Sequence, residues 1–479
     1  MGKMSRKELF ITILLFIIMF SMRLPYINNS SPEYVDMWRQ ADTESIARNF
    51  VEHRFNIFYP QFNYDGPLPN YIQLEFQITT FLIAILYKLF GYHNFFARLV
   101  PTMFFILSVY YLFLLMREIY STKMALITVF IYSVLPVSMF YSRAIMPESA
   151  LLCFFNAAFY YFYRWYRDEK KSLLFLSGLF TALAISQKTP AIFIGLAMIF
   201  MCIDKYGIYF LKKWELWVFG LIALIPPYIY IKWSGMMAEF TFISGIGTKH
   251  IIPKFATSFF TKEAFNFYKM GLPKEFTSLI LILAVIGLFT MRDKKERPLI
   301  YLLISILLEV VFIVSVIKFR YYLILLSPLV AILSGKTLYK FLAKRRLGLV
   351  FIYFILIFIS YSSINLVKDD FKVSDEIMEF SQVINENTKD GDLIVVGTLD
   401  STRISVSNRQ GWRANIKLYD YIPKDIEGEV NYFIENGAKY FVVEDDFIYN
   451  DDGSYIKYLE DNFRKLEFNN KYKFYVLSD

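Results

Sequence analysis

Apolar runs recur along the chain from residue 7 to residue 363, and few of them carry a charged side chain. Runs of about 17 to 25 residues can cross roughly 30 Å of hydrocarbon as helices, which satisfy their own backbone hydrogen bonds without water. The pattern therefore predicts an α-helical polytopic membrane protein. We predict eleven crossings, at about residues 7–22, 96–116, 124–140, 148–163, 172–187, 190–203, 216–232, 276–291, 299–317, 321–341 and 347–363.

The orientation follows from the short basic links, which remain in the cytoplasm in most membrane proteins. The most basic links are residues 117–123, 164–171, 211–215, 292–297 and 344–346. All five lie on the side of the N-terminus only if the apolar segment 72–90 does not cross. We therefore predict that this segment is an interfacial or re-entrant helix, that the N-terminus is cytoplasmic and that the C-terminus lies outside a plasma membrane.

Two regions of the chain do not follow the pattern of single spans. Residues 172–203 could form either two short helices or one long bent helix. From about Lys368 the chain becomes more polar, and two stretches repeat a helix followed by a buried strand. We therefore predict a transmembrane domain at 1–364, with an external loop at 23–95, and an extracytoplasmic α/β domain at 365–479.

Composition agrees with a membrane protein and argues against a nucleic-acid-binding protein and against a protein built on disulfides or zinc. The chain of 479 residues has 50 Phe, 36 Tyr and a mean hydropathy of +0.39. The net charge of +8 does not indicate a nucleic-acid partner, because the basic residues lie in links that set topology. Cys153 and Cys202 lie in apolar segments without metal-ligand spacing, which favours small buried core residues over a disulfide or zinc site.

The predicted topology places a group of polar side chains near external helix ends. Ionisable groups at membrane depth are costly and mark functional positions. Carboxylates suit a general base or a metal, whereas Lys and Arg suit a phosphate group. The group contains Asp42, Glu44, Asp65, Glu75, Arg143, Glu148, Lys188, Lys249, His250, Lys318, Arg320 and Tyr321.

Each of these residues also has a purely structural interpretation. Asp42 precedes a helical pattern and could be an N-cap. Glu148 follows a proline and could mark the first turn of a helix, where an acid is favoured by the helix dipole. Lys188 and Arg320 could extend to lipid headgroups, and His250 could be a solvated loop residue.

Several short motifs together resemble a known family of membrane glycosyltransferases. They are "WRQADTESIARNF", "YPQFNYDG", "LEF", "YKLFGYHNFFARLVP", "YSRAIMPESALL", "SQKTP" and "FRYYLILLSP", in this order between about residues 20 and 330. The family includes protein O-mannosyltransferases and lipid A aminoarabinose transferases. The resemblance implies the C-type glycosyltransferase fold.

The resemblance also implies a donor that carries one sugar on polyprenyl phosphate, and an acceptor that is reached from the extracytoplasmic side. It assigns the catalytic acids to Asp42 and Glu148, which could also hold a divalent metal cation. We expect the donor phosphate to be bound by Arg143, Lys188, Arg320 and Tyr321. Substrate contacts are expected from Glu44, Asp65, Glu75 and His250. Further partners would be a lipid, glycan or protein acceptor and membrane lipids.

One motif departs from the aminoarabinose transferases, and two other functions stay open. Those enzymes carry an acidic-Lys-Pro-Pro stretch in the first loop, where this chain reads "YDGPLP" without a lysine. A transporter or flippase of a polyprenyl-linked glycan would share the basic and apolar composition, and internal repeats would favour it. An oligosaccharyltransferase would share the fold, but its external Trp-Trp-Asp signature is absent from the sequence.

Overall fold

The computed structural model describes residues 4–238, 240–343, 346–467 and 471–478. Its N-terminal part is helical. The helices are α1 Arg6–Ser21, α2 Met37–Glu52, α3 Ile78–Phe90, α4 Asn94–Ile119, α5 Thr122–Val134, α6 Pro136–Tyr141, α7 Glu148–Asp168, α8 Lys171–Gln187, α9 Ile194–Tyr206, α10 Trp214–Met237, α11 Phe242–Ile246, α12 Ile252–Lys254, α13 Lys262–Phe276, α14 Ser278–Phe289, α15 Arg297–Glu309, α16 Ser315–Ile317, α17 Ser327–Phe341 and α18 Arg346–Val367.

Each of the eleven predicted spans falls on helical segments of this part. Within the part of the chain that the structure describes, six segments are long and apolar enough to cross a membrane: Asn94–Ile119, Thr189–Lys212, Trp214–Met237, Lys294–Ile317, Arg320–Phe341 and Leu347–Val367. The helices α13 and α14 meet at 96° and add a seventh candidate if they form one broken span. The chain therefore has the helices of a multi-pass membrane protein, whereas eleven crossings remain a prediction. Lys344 and Arg345 of the last basic link lie outside the described residues.

The two uncertain segments of the prediction have short helices. The α3 helix has 13 residues, about 20 Å of helix, which is too short to cross the hydrocarbon. It packs against α2, where the rings of Phe81 and Phe50 meet edge to face with their centroids 5.3 Å apart. Between residues 172 and 203, α8 ends at Gln187, and the backbone of Lys188 is extended, so this region consists of two helices.

The core of the helical part surrounds α7, which contacts α4, α8 and α9. Nearly every residue of α7 from Glu148 to Tyr160 is buried. Cys153 and Cys202 are buried and free, as predicted. A small parallel pairing joins Ile72–Gln73 (β1) to Phe240–Thr241 (β2).

The C-terminal part is an α/β unit, and both predicted helix-then-strand repeats are present. Its helices are α19 Asp375–Asn387, α20 Thr402–Val406, α21 Ile426–Glu435 and α22 Ser454–Asn462. Its strands are β3 Leu393–Val396, β4 Gln410–Arg413, β5 Ala438–Glu444, β6 Arg464–Glu467 and β7 Tyr472–Val476. The sheet order is β4-β3-β5-β7-β6. The strands β4, β3 and β5 are parallel to one another, and β7 is antiparallel to both of its neighbours, β5 and β6.

The edge strand β4 contacts the loop that follows α2. The Gly411 amide donates to the carbonyl of Asn63 at 3.0 Å, and the Gly66 amide donates to the carbonyl of Gly411 at 3.1 Å. Gly411 has φ +148°, and a Cβ there would lie 1.7 Å from the carbonyl oxygen of Ile394. Only glycine therefore fits at the point where the sheet meets the loop.

Candidate active site

A mostly apolar cavity of about 320 Å³ lies among α2, the turn between α8 and α9, α10, and the segment after α16. Mostly apolar walls with a few convergent polar groups are typical of ligand pockets. Four of the predicted site residues line the cavity: Asp42, Glu75, Lys188 and Tyr321. Polar residues that the sequence prediction did not select also line it: Asp36, Arg39, Gln187 and Tyr322.

Asp42 is held by hydroxyl groups. It lies within α2, which begins at Met37, so the N-cap interpretation is wrong. The Tyr64 hydroxyl donates to Asp42 Oδ2 at 3.1 Å, and the hydroxyls of Ser401 and Ser405 donate to Oδ1 at 3.3 and 3.4 Å. No basic side chain among the described residues forms a direct ion pair with this carboxylate. Asp42 is therefore oriented by neutral donors.

The surroundings of Asp42 change its acidity. Its side chain is only 3% exposed, and this burial raises its pKa to about 7, against the smaller opposing effects of Arg39, Tyr64 and Arg413. A carboxyl group with a pKa near neutral pH can accept a proton under physiological conditions and release it again. Position and acidity both suit a general base.

Lys188 and Glu148 form a different kind of group. The Lys188 ammonium makes an ion pair with Glu148, and its Nζ lies 3.8 Å from the ring centroid of Tyr321 and 4.6 Å from that of Tyr322. Glu148 is completely buried and is the first residue of α7, after Pro147. The carboxylate and the two ring faces fix a positive charge at the cavity wall.

Arg39 is a second positive charge at the cavity, one turn before Asp42 on α2. It makes an ion pair with Glu75, which also lines the cavity. Asp36, immediately before α2, has left-handed backbone with φ 51°. The Tyr141 hydroxyl donates to it at 2.7 Å, and burial raises its pKa.

Arg143, which was predicted to bind the donor phosphate, is not among the described residues that line the cavity. Its guanidinium is 1% exposed and donates to both carboxylate oxygens of Glu33, at 2.6 and 3.2 Å. Arg98 forms an ion pair with the same carboxylate at 3.1 Å. Because all three side chains are buried, this arrangement is a structural ion-pair cluster that joins the first loop to the helices.

Arg320 also has acidic partners and is not among the residues that line the cavity. It makes ion pairs with Glu275 and with Asp370, the latter at 2.9 Å. Asp370 follows α18, so Arg320 connects the end of the helical part to the segment before α17. Its neighbour Tyr321 lines the cavity instead.

The remaining predicted substrate residues lie elsewhere. Glu44 accepts from Arg48 at 3.0 Å on the same helix. Asp65 forms a buried ion pair with Arg413 and accepts from the Tyr419 hydroxyl at 2.6 Å, at the contact with the C-terminal sheet. His250 is exposed. None of these three is among the described residues that line the cavity.

One buried acid had a sequence signal that the prediction did not use. Glu309 lies inside the predicted span 299–317, where any carboxylate is unusual. It is completely buried, and neither of its oxygens has a hydrogen-bond partner among the described residues. It directly precedes a π-helical turn at Val310–Val314, a feature that is frequent at functional sites.

The donor set at the cavity does not fit the predicted divalent metal. Hydroxyl groups donate to both oxygens of Asp42, and Glu148 is paired with Lys188. Among the described residues, no three His, Cys, Asp or Glu side chains lie together as they would around a metal ion. Mg²⁺ in enzymes is usually held by one or two carboxylates together with water and substrate phosphate, but here both Asp42 oxygens already accept hydrogen bonds and Glu148 is the partner of a cation.

Comparison with known proteins identifies similarity in both sequence and fold. Residues 78–233 match the family model described as dolichyl-phosphate-mannose-protein mannosyltransferase. The matched stretch contains Glu148 and Lys188, whereas Asp42 precedes it. No curated protein sequence matches the chain.

Solved structures match nearly the whole chain. ArnT from Cupriavidus metallidurans bound to undecaprenyl phosphate superposes with a TM-score of 0.65 at 12% identity, covering 98% of each chain. The archaeal oligosaccharyltransferase AglB from Archaeoglobus fulgidus, solved with an inhibitory peptide and a dolichol-phosphate, has a TM-score of 0.62 at 11% identity, covering 99% of this chain and 74% of AglB. An Archaeoglobus fulgidus oligosaccharyltransferase in complex with Zn and sulfate has a TM-score of 0.54 at 13% identity, covering 90% and 67%. The predicted fold class is confirmed.

Proposed function

We propose that the protein is a membrane glycosyltransferase that moves a single sugar from a polyprenyl-phosphate donor to an acceptor hydroxyl on the extracytoplasmic face, with inversion at the anomeric carbon. One observation carries the proposal. A single mostly apolar cavity is lined by the Asp42 carboxyl group, whose pKa is about 7, and by the Lys188 ammonium group, which is held by an ion pair. The family match and the fold support this reaction class.

In the proposed reaction Asp42 acts as the general base. Its carboxylate takes the proton from the acceptor hydroxyl, whose oxygen attacks the anomeric carbon of the sugar. The bond between this carbon and the phosphate oxygen breaks, and the bonding electrons leave with polyprenyl phosphate. Attack from the face opposite the leaving group inverts the anomeric configuration.

Lys188 and Arg39 are proposed to stabilise the phosphate as its charge develops. Preorganised positive groups lower the energy of the transition state without reorganising during the reaction. Glu148 and the Tyr321 and Tyr322 rings hold the Lys188 ammonium at the cavity wall. In this proposal Glu148 therefore acts through Lys188, and Asp42 alone takes the proton.

The apolar walls of the cavity suit the isoprenoid part of the donor. The apolar lining includes Ile243, Ile246, Ile251, Ile317 and Phe319. ArnT, which has the same fold, was solved with bound undecaprenyl phosphate. We propose that the lipid enters along these side chains and that its phosphate stops at Lys188.

The test is sugar transfer by the purified full-length protein in vesicles. A panel of radiolabelled polyprenyl-phosphate sugars is supplied with lipid, glycan or peptide acceptors, with and without EDTA. We expect labelled sugar to appear in an acceptor only when donor and acceptor are both present. We expect EDTA to leave the amount transferred unchanged. Movement of the labelled lipid across the bilayer without transfer would indicate a flippase and contradict the proposal. Label that moves to peptide asparagine from oligosaccharide donors alone would indicate an oligosaccharyltransferase.

A further inference from the structure

The C-terminal α/β part contacts Asp42 directly. The two serine hydroxyls that donate to Asp42 Oδ1 lie 359 and 363 residues further along the chain. Ser401 belongs to the loop after β3 and is completely buried, and Ser405 belongs to α20 and is 5% exposed. The helix α20 also contacts α2 itself.

Neither serine is among the described residues that line the cavity. All described residues that line the cavity lie between Asp36 and Tyr322, so none comes from the C-terminal part. Asp42 Oδ1 accepts from the two serines, whereas Oδ2 accepts from Tyr64. The two oxygens therefore have separate donors, which fix the rotation of the carboxylate while it still faces the cavity.

An ion pair and several hydrogen bonds also join the C-terminal α/β part to the first loop. Arg413 of β4 forms a buried ion pair with Asp65 of the first loop, and the Tyr419 hydroxyl donates to the same carboxylate. Backbone hydrogen bonds at Gly411 lie beside this pair. These charge-assisted and backbone hydrogen bonds join the C-terminal part to the first loop in addition to the serine contacts.

We propose that Ser401 and Ser405 are positioning residues for Asp42, so that docking of the C-terminal α/β part completes the active site. This inference rests on the proposed function, since it concerns the base of that reaction. It gives the C-terminal part a role at the active site, namely control of the orientation and charge of Asp42, although none of the described residues that line the cavity belongs to that part.

Loss of the serine hydroxyls has a definite physical consequence. Hydrogen bonds donated to a carboxylate favour its charged form. Removal of both should raise the titration midpoint of Asp42 by roughly one pH unit, above the present value of about 7. At pH 7 the deprotonated fraction would then fall about fivefold, and kcat would fall with it. The KM for the donor should stay unchanged because the cavity wall is intact.

The experiment uses the full-length protein with Ser401→Ala, Ser405→Ala and both changes together. Ser407→Ala is the matched control, because this buried hydroxyl donates to the carbonyls of Arg403 and Ile404 instead of Asp42. Ser405→Thr keeps a hydroxyl and should restore the wild-type profile. One readout is the pH dependence of sugar transfer. The other is carbodiimide labelling of Asp42 against pH, measured by mass spectrometry, which needs no turnover.

We expect both midpoints to move upward by about one pH unit in the double variant and by about half as much in each single variant, with Ser407→Ala unchanged. Equal midpoints in the double variant and the control would overturn the inference. If the double variant does not fold, the single variants decide by the same criterion. If the wild-type protein transfers no sugar, the proposed function fails, yet the labelling midpoints still decide whether the serines act on Asp42.

Discussion

Asp42 and Glu148 are two buried carboxylates of the same site, and their surroundings are chemically opposite. Asp42 accepts hydrogen bonds from three neutral hydroxyl groups, and burial raises its pKa to about 7. Glu148 has a cation as its partner, the ammonium group of Lys188. Among the described residues Asp42 has no cationic partner in direct contact and can exchange a proton near neutral pH, whereas Glu148 holds the Lys188 ammonium in place.

Asp42 and Lys188 are held in place by different parts of the chain. Asp42, the proposed base, is oriented by Tyr64 of the first loop and by Ser401 and Ser405 of the C-terminal part. The cation is fixed by side chains of the helical part, through Glu148 and two tyrosine rings. Substitutions on the two sides should therefore change different kinetic quantities.

Asp42→Asn should have the largest effect. Loss of a general base costs about 100-fold to 10⁴-fold in rate, and asparagine keeps the size of the side chain, so donor binding should persist. The measurement is kcat together with binding of the labelled donor. Glu44→Gln on the same helix is the matched control and should change kcat less than about threefold, since its partner is Arg48, outside the cavity. Similar losses in both variants would contradict the special position of Asp42.

Arg143→Met should destabilise the protein without weakening donor binding. The change removes one partner of the buried carboxylate Glu33, and breaking a buried ion pair costs about 3 kcal/mol or more. Thermal unfolding in detergent measures the stability. A donor affinity that falls tenfold while the unfolding temperature stays unchanged would return Arg143 to its predicted role at the phosphate.

Lys188→Met should raise the donor KM by about 10-fold to 100-fold, because a charge-assisted contact to phosphate is lost while the length of the side chain is kept. The pH dependence of kcat should stay that of the wild type. Lys249→Met is the matched control, since Lys249 is exposed on the segment beside the cavity. An equal effect of the two substitutions would show that only general positive charge matters.

Glu148→Gln should have the smallest effect, about 3-fold to 10-fold in kcat/KM, because glutamine leaves Lys188 between its tyrosine rings but removes the balancing charge. The acid limb of the pH profile should not move. A loss of turnover as large as that of Asp42→Asn would make Glu148 a second essential acid and end the distinction between the two carboxylates.

The sequence predicted the helices well because long apolar runs determine them locally. All eleven predicted spans lie on helices, and α3 is a short helix in the segment predicted not to cross. Sequence spacing could not predict which charges are neutralised in the fold. Arg143 and Glu33 are 110 residues apart, and the partners of Asp42 in the C-terminal part lie more than 350 residues away.

Two further residues carry a signal in the sequence. Arg39 lies three residues before Asp42, within the motif "WRQADTESIARNF" that indicated the base. Glu309, which is not among the described residues that line the cavity, is an acid inside a predicted span. In contrast, Asp36 in the first loop and Tyr322 beside Tyr321 have no signal of their own, and only packing brings them to the cavity wall. Asp42 and Lys188, which the family resemblance selected, both line the cavity, and their roles stay predictions.

The most direct test of the account is the pH dependence of kcat/KM for sugar transfer by the wild-type protein. Asp42 must be deprotonated to accept a proton, so activity should be full above its pKa and should fall as pH decreases through about 7, reaching roughly one hundredth at two units below. An acid limb near pH 7 is the predicted result. Full activity down to about pH 5, as for an ordinary aspartate, would contradict the claim that the buried Asp42 is the base.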